Sequence, residues 1–172
     1  MAILEKIEFE KIGPCRFIGK SIYARAGSEY SGHLFGALWA MSGGIFEAID
    51  GLKEYATAEM ENAALLTWDK YDDQKQLMGY TVGRFMKADT PVPEGLDFID
   101  IPDISVAKGW VKGEFDDMIQ NAEGLTSEAI EQQDKYVPTW LFMAEIYTKD
   151  TVLEAGVNSV LGYYIACKEK ES

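Results

Sequence analysis

Basic residues are scarce in this 172-residue chain: 16 lysines and arginines stand against 29 aspartates and glutamates, for a net charge of −13. A field of that sign repels phosphate, so nucleic acid and anionic membrane surfaces are not expected as partners. Long apolar runs are lacking too. No stretch reaches the roughly eighteen apolar residues of a bilayer span. The amino end alternates apolar side chains with Glu5, Lys6, Glu8 and Glu10 where a secretory signal would be continuously apolar. The expected location is cytoplasmic. Cysteine is limited to Cys15 and Cys167, each single and set among apolar, strand-like neighbours, which points to buried free thiols and away from a disulfide or a metal pair. The single histidine, His33, has no serine or cysteine nucleophile beside it and reads as a helix-start residue. Glycine-rich phosphate loops, paired Cys-x-x-Cys motifs and Gly-x-Ser-x-Gly elbows are missing. The acidic groups Asp69, Asp72, Asp73 and Asp97, Asp100, Asp103 lack the glycine and terminal glutamate of a calcium loop and read as solvated turns. No metal and no cofactor is expected.

What is present is core material. Apolar residues make up 47% of the chain and aromatics 12%, enough for one well-cored domain spanning residues 1–172. Stretches rich in β-branched and aromatic residues predict strands at Cys15–Ala24, Ala63–Asp69, Gly79–Met86, Ile104–Lys112, Thr139–Tyr147 and Val160–Cys167, with a short one near Phe98–Ile101. Leu34, Leu38, Met41, Ile45, Ile49 and Leu52 draw one apolar stripe along a helix, which Gly43-Gly44 should weaken or kink. A second helix is predicted from Glu114 to about Gln133, with Phe115, Met118, Ile119 and Ala122 on one face. It should break at Gly124, before a fresh start capped by Thr126 or Ser127.

Strand, helix, strand, strand thus occurs twice, as pseudo-repeats of about 7–90 and 97–168. Local sequence agrees: Met78-Gly79-Tyr80-Thr81-Val82 matches Leu161-Gly162-Tyr163-Tyr164-Ile165, 83 residues on. Two such units side by side make an α+β fold, an antiparallel sheet with the two main helices on one face. The other face is left uncovered as a cleft for a ligand.

One residue is out of place in this pattern. Read with period two, Thr139–Tyr147 shows Trp140, Phe142, Ala144 and Ile146 on one face and Thr139, Leu141, Met143, Glu145 and Tyr147 on the other. A carboxylate between Met143 and Tyr147 sits either at a solvated edge or in a pocket. Aromatic rings near it would suit flat or cationic ligands. The candidates are Tyr147, the matched pair Tyr80 and Tyr163, Trp110 and Trp39.

The element order, with Gly79-Tyr80-Thr81-Val82-Gly83, Val92-Pro93-Glu94-Gly95-Leu96 leading to Ile101-Pro102, Ala107-Lys108-Gly109 and Glu145-Ile146-Tyr147, resembles the gyrase-inhibitor-like family. This is the module found as the effector-binding domain of AraC-type and MerR-type multidrug regulators, and the resemblance runs from about Ile7 to Lys168. It implies that Glu145, with Tyr147 beside it, lies at the floor of an aromatic-lined cleft between the two repeats, where it can pair with cationic, lipophilic ligands. The regulators join this module to a helix-turn-helix segment. No basic helical extension is seen here, so direct DNA binding is not implied.

The leading expectation is stand-alone binding of amphipathic, cationic aromatic molecules, in multidrug or toxin sensing or sequestration. An alternative implied by the resemblance is hydrolysis of cyclopropane-bearing alkylating toxins, with Glu145 activating water and Tyr147 donating a proton. A further one is an interaction protein that inhibits a larger enzyme such as gyrase through its acidic surface.

Overall fold

The computed structural model describes residues 1–25, 29–68, 74 and 77–171, with only the backbone of 29–33. Among them are eight strands and three α-helices. They are β1 (Ile3–Ile12), β2 (Cys15–Arg25), α1 (Glu29–Ala40), α2 (Ser42–Asp50), β3 (Asn62–Thr67), β4 (Leu77–Lys87), β5 (Asp97–Ile101), β6 (Ile104–Gly113), α3 (Phe115–Glu131), β7 (Tyr136–Tyr147) and β8 (Ser159–Glu169). The chain gathers into two compact units, Gly13–Pro102 and, from both sides of it in sequence, Met1–Ile12 with Asp103–Ser172.

In the first unit, Gly13–Pro102, the strands run in the antiparallel order β3-β4-β2-β5, and in the second in the antiparallel order β1-β6-β8-β7. The predicted strand-helix-strand-strand core is present in each. Each also gains a strand that lies just ahead of the other unit's opening strand: β1 precedes β2 yet pairs with β6, and β5 precedes β6 yet pairs with β2. β1 is absent from the predicted strands, although the alternation of its residues gives it a charged face. Part of that face is a salt-bridged contact, Glu10 to Lys108 at 2.8 Å. Asp97 and Asp100, expected in turns, belong to β5. Asp100 accepts from Arg16 Nε at 2.7 Å, which holds its carboxyl below the ordinary range, and Asp97 accepts from the Ser21 N–H at 2.9 Å. Asp69, Asp72 and Asp73 lie outside the described residues.

The first apolar stripe folds as two helices. Leu38, Ile45 and Ile49 are buried with Ile18, Ala64, Tyr80, Val82 and Met86, whereas Met41 is 75% exposed at the break between α1 and α2. The break precedes Gly43 and Gly44, which fall in the first turn of α2, where two poor helix formers weaken continuation from α1. His33 lies one turn inside α1.

The second helix does not break. α3 runs through Gly124, and Thr126 is a buried interior residue of it, not a cap. Met118, Ala122, Thr126 and Ile130 form its buried row at a spacing of four. Burying Met118 and Ile130 stabilises by about 1.5–3 kcal/mol each, more than the roughly 1 kcal/mol that a helical glycine costs. The faces turned away from the helices carry buried apolar residues as well. Phe17, Leu65 and Phe85 in the first unit, and Val106, Ala144 and Ile146 in the second, are at most 2% exposed, while Tyr23, on the same face of β2 as Phe17, is 38% exposed.

Cys15 and Cys167 are buried free thiols, each pushed up to about 11 chiefly by that burial. A thiol bound more tightly by its proton in the folded chain stabilises fully below its unfolded value, near 8.5, and loses that contribution as pH rises toward 11. Both cysteines are expected to resist a thiol-reactive disulfide reagent at pH 8 and to react when the chain is unfolded in urea. Fast labelling of the native chain would contradict their placement.

Candidate functional site

Two stretches of register tie β7 to β8, and between them lies an irregular segment from Pro138 to Met143. Trp140 there has φ of 58°, and both Trp140 and Leu141 are exposed. The strict alternation expected over Thr139–Tyr147 therefore applies only past this bulge. There Glu145 stands opposite Tyr163, Tyr163 stands opposite Gly109, and Gly109 stands opposite Ile7. These four form one row across the sheet. A Cβ at Gly109 would run into Thr126, which identifies the row's face as the one that α3 covers. Glu145 thus lies on the α3 side of its sheet, not on the face expected to hold the cleft.

Glu145 is half-buried, and its Oε1 accepts from the Tyr147 hydroxyl at 3.3 Å. The Phe115 ring, at the start of α3, lies 6.1 Å from that of Tyr147. Tyr163 is buried and donates to Met143 Sδ at 3.3 Å. Burial, reinforced by Glu123 and Glu145, drives its phenol far above the ordinary tyrosine value, so it stays neutral throughout the physiological range. The cluster therefore offers the Glu145 carboxylate, ring surface from Tyr147 and Phe115, and a polarisable sulfur. It is suited to balancing a positive charge carried on an apolar body.

The first unit repeats the geometry without the charge. Tyr80 occupies the helix-side position of β4 that Tyr163 occupies in β8, and the residue opposite it is Leu66 where the second unit has Glu145. Tyr80 is already engaged: Trp39 Nε1 donates to its hydroxyl at 2.8 Å, and Phe35 stacks on its ring at 3.9 Å. Trp39 and Tyr80 are thus together in one unit, and Glu145, Tyr147 and Tyr163 in the other.

Trp110 is apart from Glu145. Its register partner is Gly162, one residue out of phase with Tyr163, so it lies on the opposite face of the same sheet. There Nε1 donates to Glu8 Oε1 at 3.1 Å, and the ring meets Tyr164 edge-on at 6.3 Å. Hydrogen bonds from Lys6 and Trp110 lower the Glu8 carboxyl. Next to this group is a residue that the sequence reading passed over. Lys108 is 5% exposed, bonded to Glu10, with Nζ 5.1 Å from the Tyr164 ring centroid. A lysine inside the apolar run Val106-Ala107-Lys108 was the available signal. Phe115, Phe35 and Met143 were also missed, since only the fold brings them beside the nominated residues. A surface depression of about 520 Å³ lined by Lys20, Ser21, Tyr23 and Leu96–Ile99 includes none of those nominated.

No cluster of potential metal ligands occurs among the described residues, and no described helix is long and apolar enough to cross a membrane. No family model and no curated protein matches the sequence. Solved structures do match. SAV2435, solved bound to tetraphenylphosphonium, is 12% identical over 95% of this chain and 94% of its own, with a TM-score of 0.68. The chain has the gyrase-inhibitor-like effector-binding fold. An integron cassette protein of Vibrio cholerae shares this fold, at 11% identity over 97% of this chain and 99% of its own, with a TM-score of 0.58. EcmrR, solved in complex with DNA, has the same TM-score at 16% identity over 96% of this chain but 58% of its own length. At these identities the likeness carries the fold alone.

Proposed function

We propose that this chain, acting as a single effector-binding domain over residues 1–172, binds lipophilic aromatic cations reversibly in sensing or sequestration, with Glu145 as the counter-charge. The observation that carries the reading is the asymmetry between the repeats. At one register position the first unit has Leu66 and the second has Glu145, half-buried on the α3 side of its sheet, so the second unit places a negative charge where the first has an apolar side chain. Tyr147 orients the carboxylate, and Tyr147 with Phe115 supplies ring surface to a ligand's aryl groups. That SAV2435 has been solved with a lipophilic cation supports the choice of ligand class.

The test is a thermal-shift titration with tetraphenylphosphonium on the parent and on Glu145→Gln. At a hundredfold its dissociation constant the cation should stabilise the parent by about 2.7 kcal/mol. The variant should lose most of that shift while a neutral triaryl compound behaves alike on both. The cation should be recovered unchanged. An equal shift in parent and variant would remove Glu145 from the site, and no shift in either would remove the ligand class.

A further inference from the structure

The loop joining β7 to β8, residues 148–158, is anchored firmly at its base and weakly at its tip. At the base, Thr151 Oγ1 donates to the Val160 carbonyl at 2.6 Å, the Thr148 N–H donates to Thr151 Oγ1 at 3.0 Å, and the Val152 N–H donates to Ser159 Oγ at 2.9 Å. The tip, 153–156, is exposed throughout, with Leu153 63% exposed. Among the described residues it is tied to the residue just ahead of α3 by the Gly156 N–H, which donates to Glu114 Oε2 at 3.2 Å in the open. Gly156 adopts φ of 81°, the left-handed conformation that lets the tip turn toward Glu114.

The position of this tether gives it meaning. Glu114 immediately precedes Phe115, whose ring neighbours Tyr147, and Tyr147 is the residue from which the loop departs. The loop returns at Ser159, whose partner across the sheet is Gly113, the residue before Glu114. The start of α3, the end of β7 and the loop therefore share one end of the second unit, the end at which the Tyr147 side of the Glu145 cluster lies.

We infer that residues 153–157 form a strap that governs passage of ligand to Glu145 and Tyr147, with the Glu114–Gly156 bond as its latch. The inference rests on the reading of Glu145 as a ligand site. The strap swings about its bonded base, and opening it breaks one exposed hydrogen bond, whose loss is tolerated because water replaces both partners. Glu114 is a positioning residue, since it holds the strap and does not itself meet the ligand. Releasing the latch should speed arrival and departure together, because it removes a barrier common to both directions.

The experiment measures exchange of tetraphenylphosphonium with the full chain from its phosphorus-31 line shape, alongside its dissociation constant by calorimetry. Glu114→Ala is expected to raise both rates about three- to tenfold, the worth of one exposed hydrogen bond, with affinity within about twofold of the parent. Glu114→Gln retains an acceptor oxygen and should return the rates most of the way. The melting midpoint of Glu114→Ala should match the parent, which separates a latch from a general support of α3. Binding with unchanged rates in Glu114→Ala would overturn the strap and leave the ligand site standing. Absence of binding by the parent would overturn the site, and the strap with it.

Discussion

Gly109→Ala is expected to cost about 2–3 kcal/mol, a drop of roughly 4–12 °C in the melting midpoint of a chain this long. The reason is local. A Cβ at Gly109 would stand 2.9 Å from Thr126 Cγ2 and 3.1 Å from Thr126 Cβ, in addition to a clash with Oγ1, so the obstacle is the body of the side chain and not a movable tip. α3 can relieve it only by lifting off β6, and Met118 and Ile130, buried in the same helical row, resist that movement. Gly109→Ala/Thr126→Ala should recover most of the loss. Thr126 also offers a test of opposite sign. Its hydroxyl is the one fully buried side-chain oxygen or nitrogen among the described residues that lacks a hydrogen-bond partner. Thr126→Val keeps the shape and removes that group, so it should stabilise by about 1 kcal/mol. Calorimetric unfolding of the four chains decides the matter; a Gly109→Ala chain as stable as the parent, or a double variant no better than the single one, would refute the tight seat.

The Glu10–Lys108 pair should respond unequally to loss of its two members. Lys108 is almost wholly buried, whereas the Glu10 side chain is 47% exposed. Glu10→Ala takes a carboxylate away from an ammonium that has little access to water, and should cost about 1–2 kcal/mol, less than a fully buried pair because Glu10 is itself half solvated. Lys108→Met removes the expensive charge, leaves Glu10 free to face water and preserves the chain's length and girth. It should change stability by less than about 1 kcal/mol. Urea unfolding of both variants tests the order. If Lys108→Met were the more damaging of the two, the ammonium would have a role beyond pairing with Glu10.

Much of this architecture is legible in the residues because local pattern and tertiary environment agree. The cores of β2, β4, β6 and β8 read correctly, since each is a long run of β-branched and aromatic residues with turn residues at its ends. The reading failed where a second influence overrode pattern. Gly124 looked like a break because propensity disfavours it, yet the buried row of α3 outweighs one glycine. β1 is not among the predicted strands, and part of what its charges meet, Lys108, lies about a hundred residues on. For the candidate site, period two put Glu145 and Tyr147 on one strand face, and the two side chains share a hydrogen bond. The same rule could not say which side of the sheet faces α3, and Trp110, nominated as an aromatic near the site, lies on the far side. Nor could it register the bulge at Trp140, which depends on a backbone conformation that no tryptophan advertises.

The crossed placement of β1 and β5 also affects the order of events at the ribosome. Residues 13–102 emerge with every strand of their own sheet already made. β1 emerges before all of them and finds no partner until Ile104–Gly113 is synthesised, a wait on the order of 5–20 s at ordinary elongation rates. During that interval it is an orphan strand in a crowded compartment, the situation in which edge-to-edge aggregation begins. Glu5, Lys6, Glu8, Glu10 and Lys11, interleaved with its isoleucines and phenylalanine, act as gatekeepers against it. The charges that set the amino end apart from a secretory signal keep it available until its partner arrives.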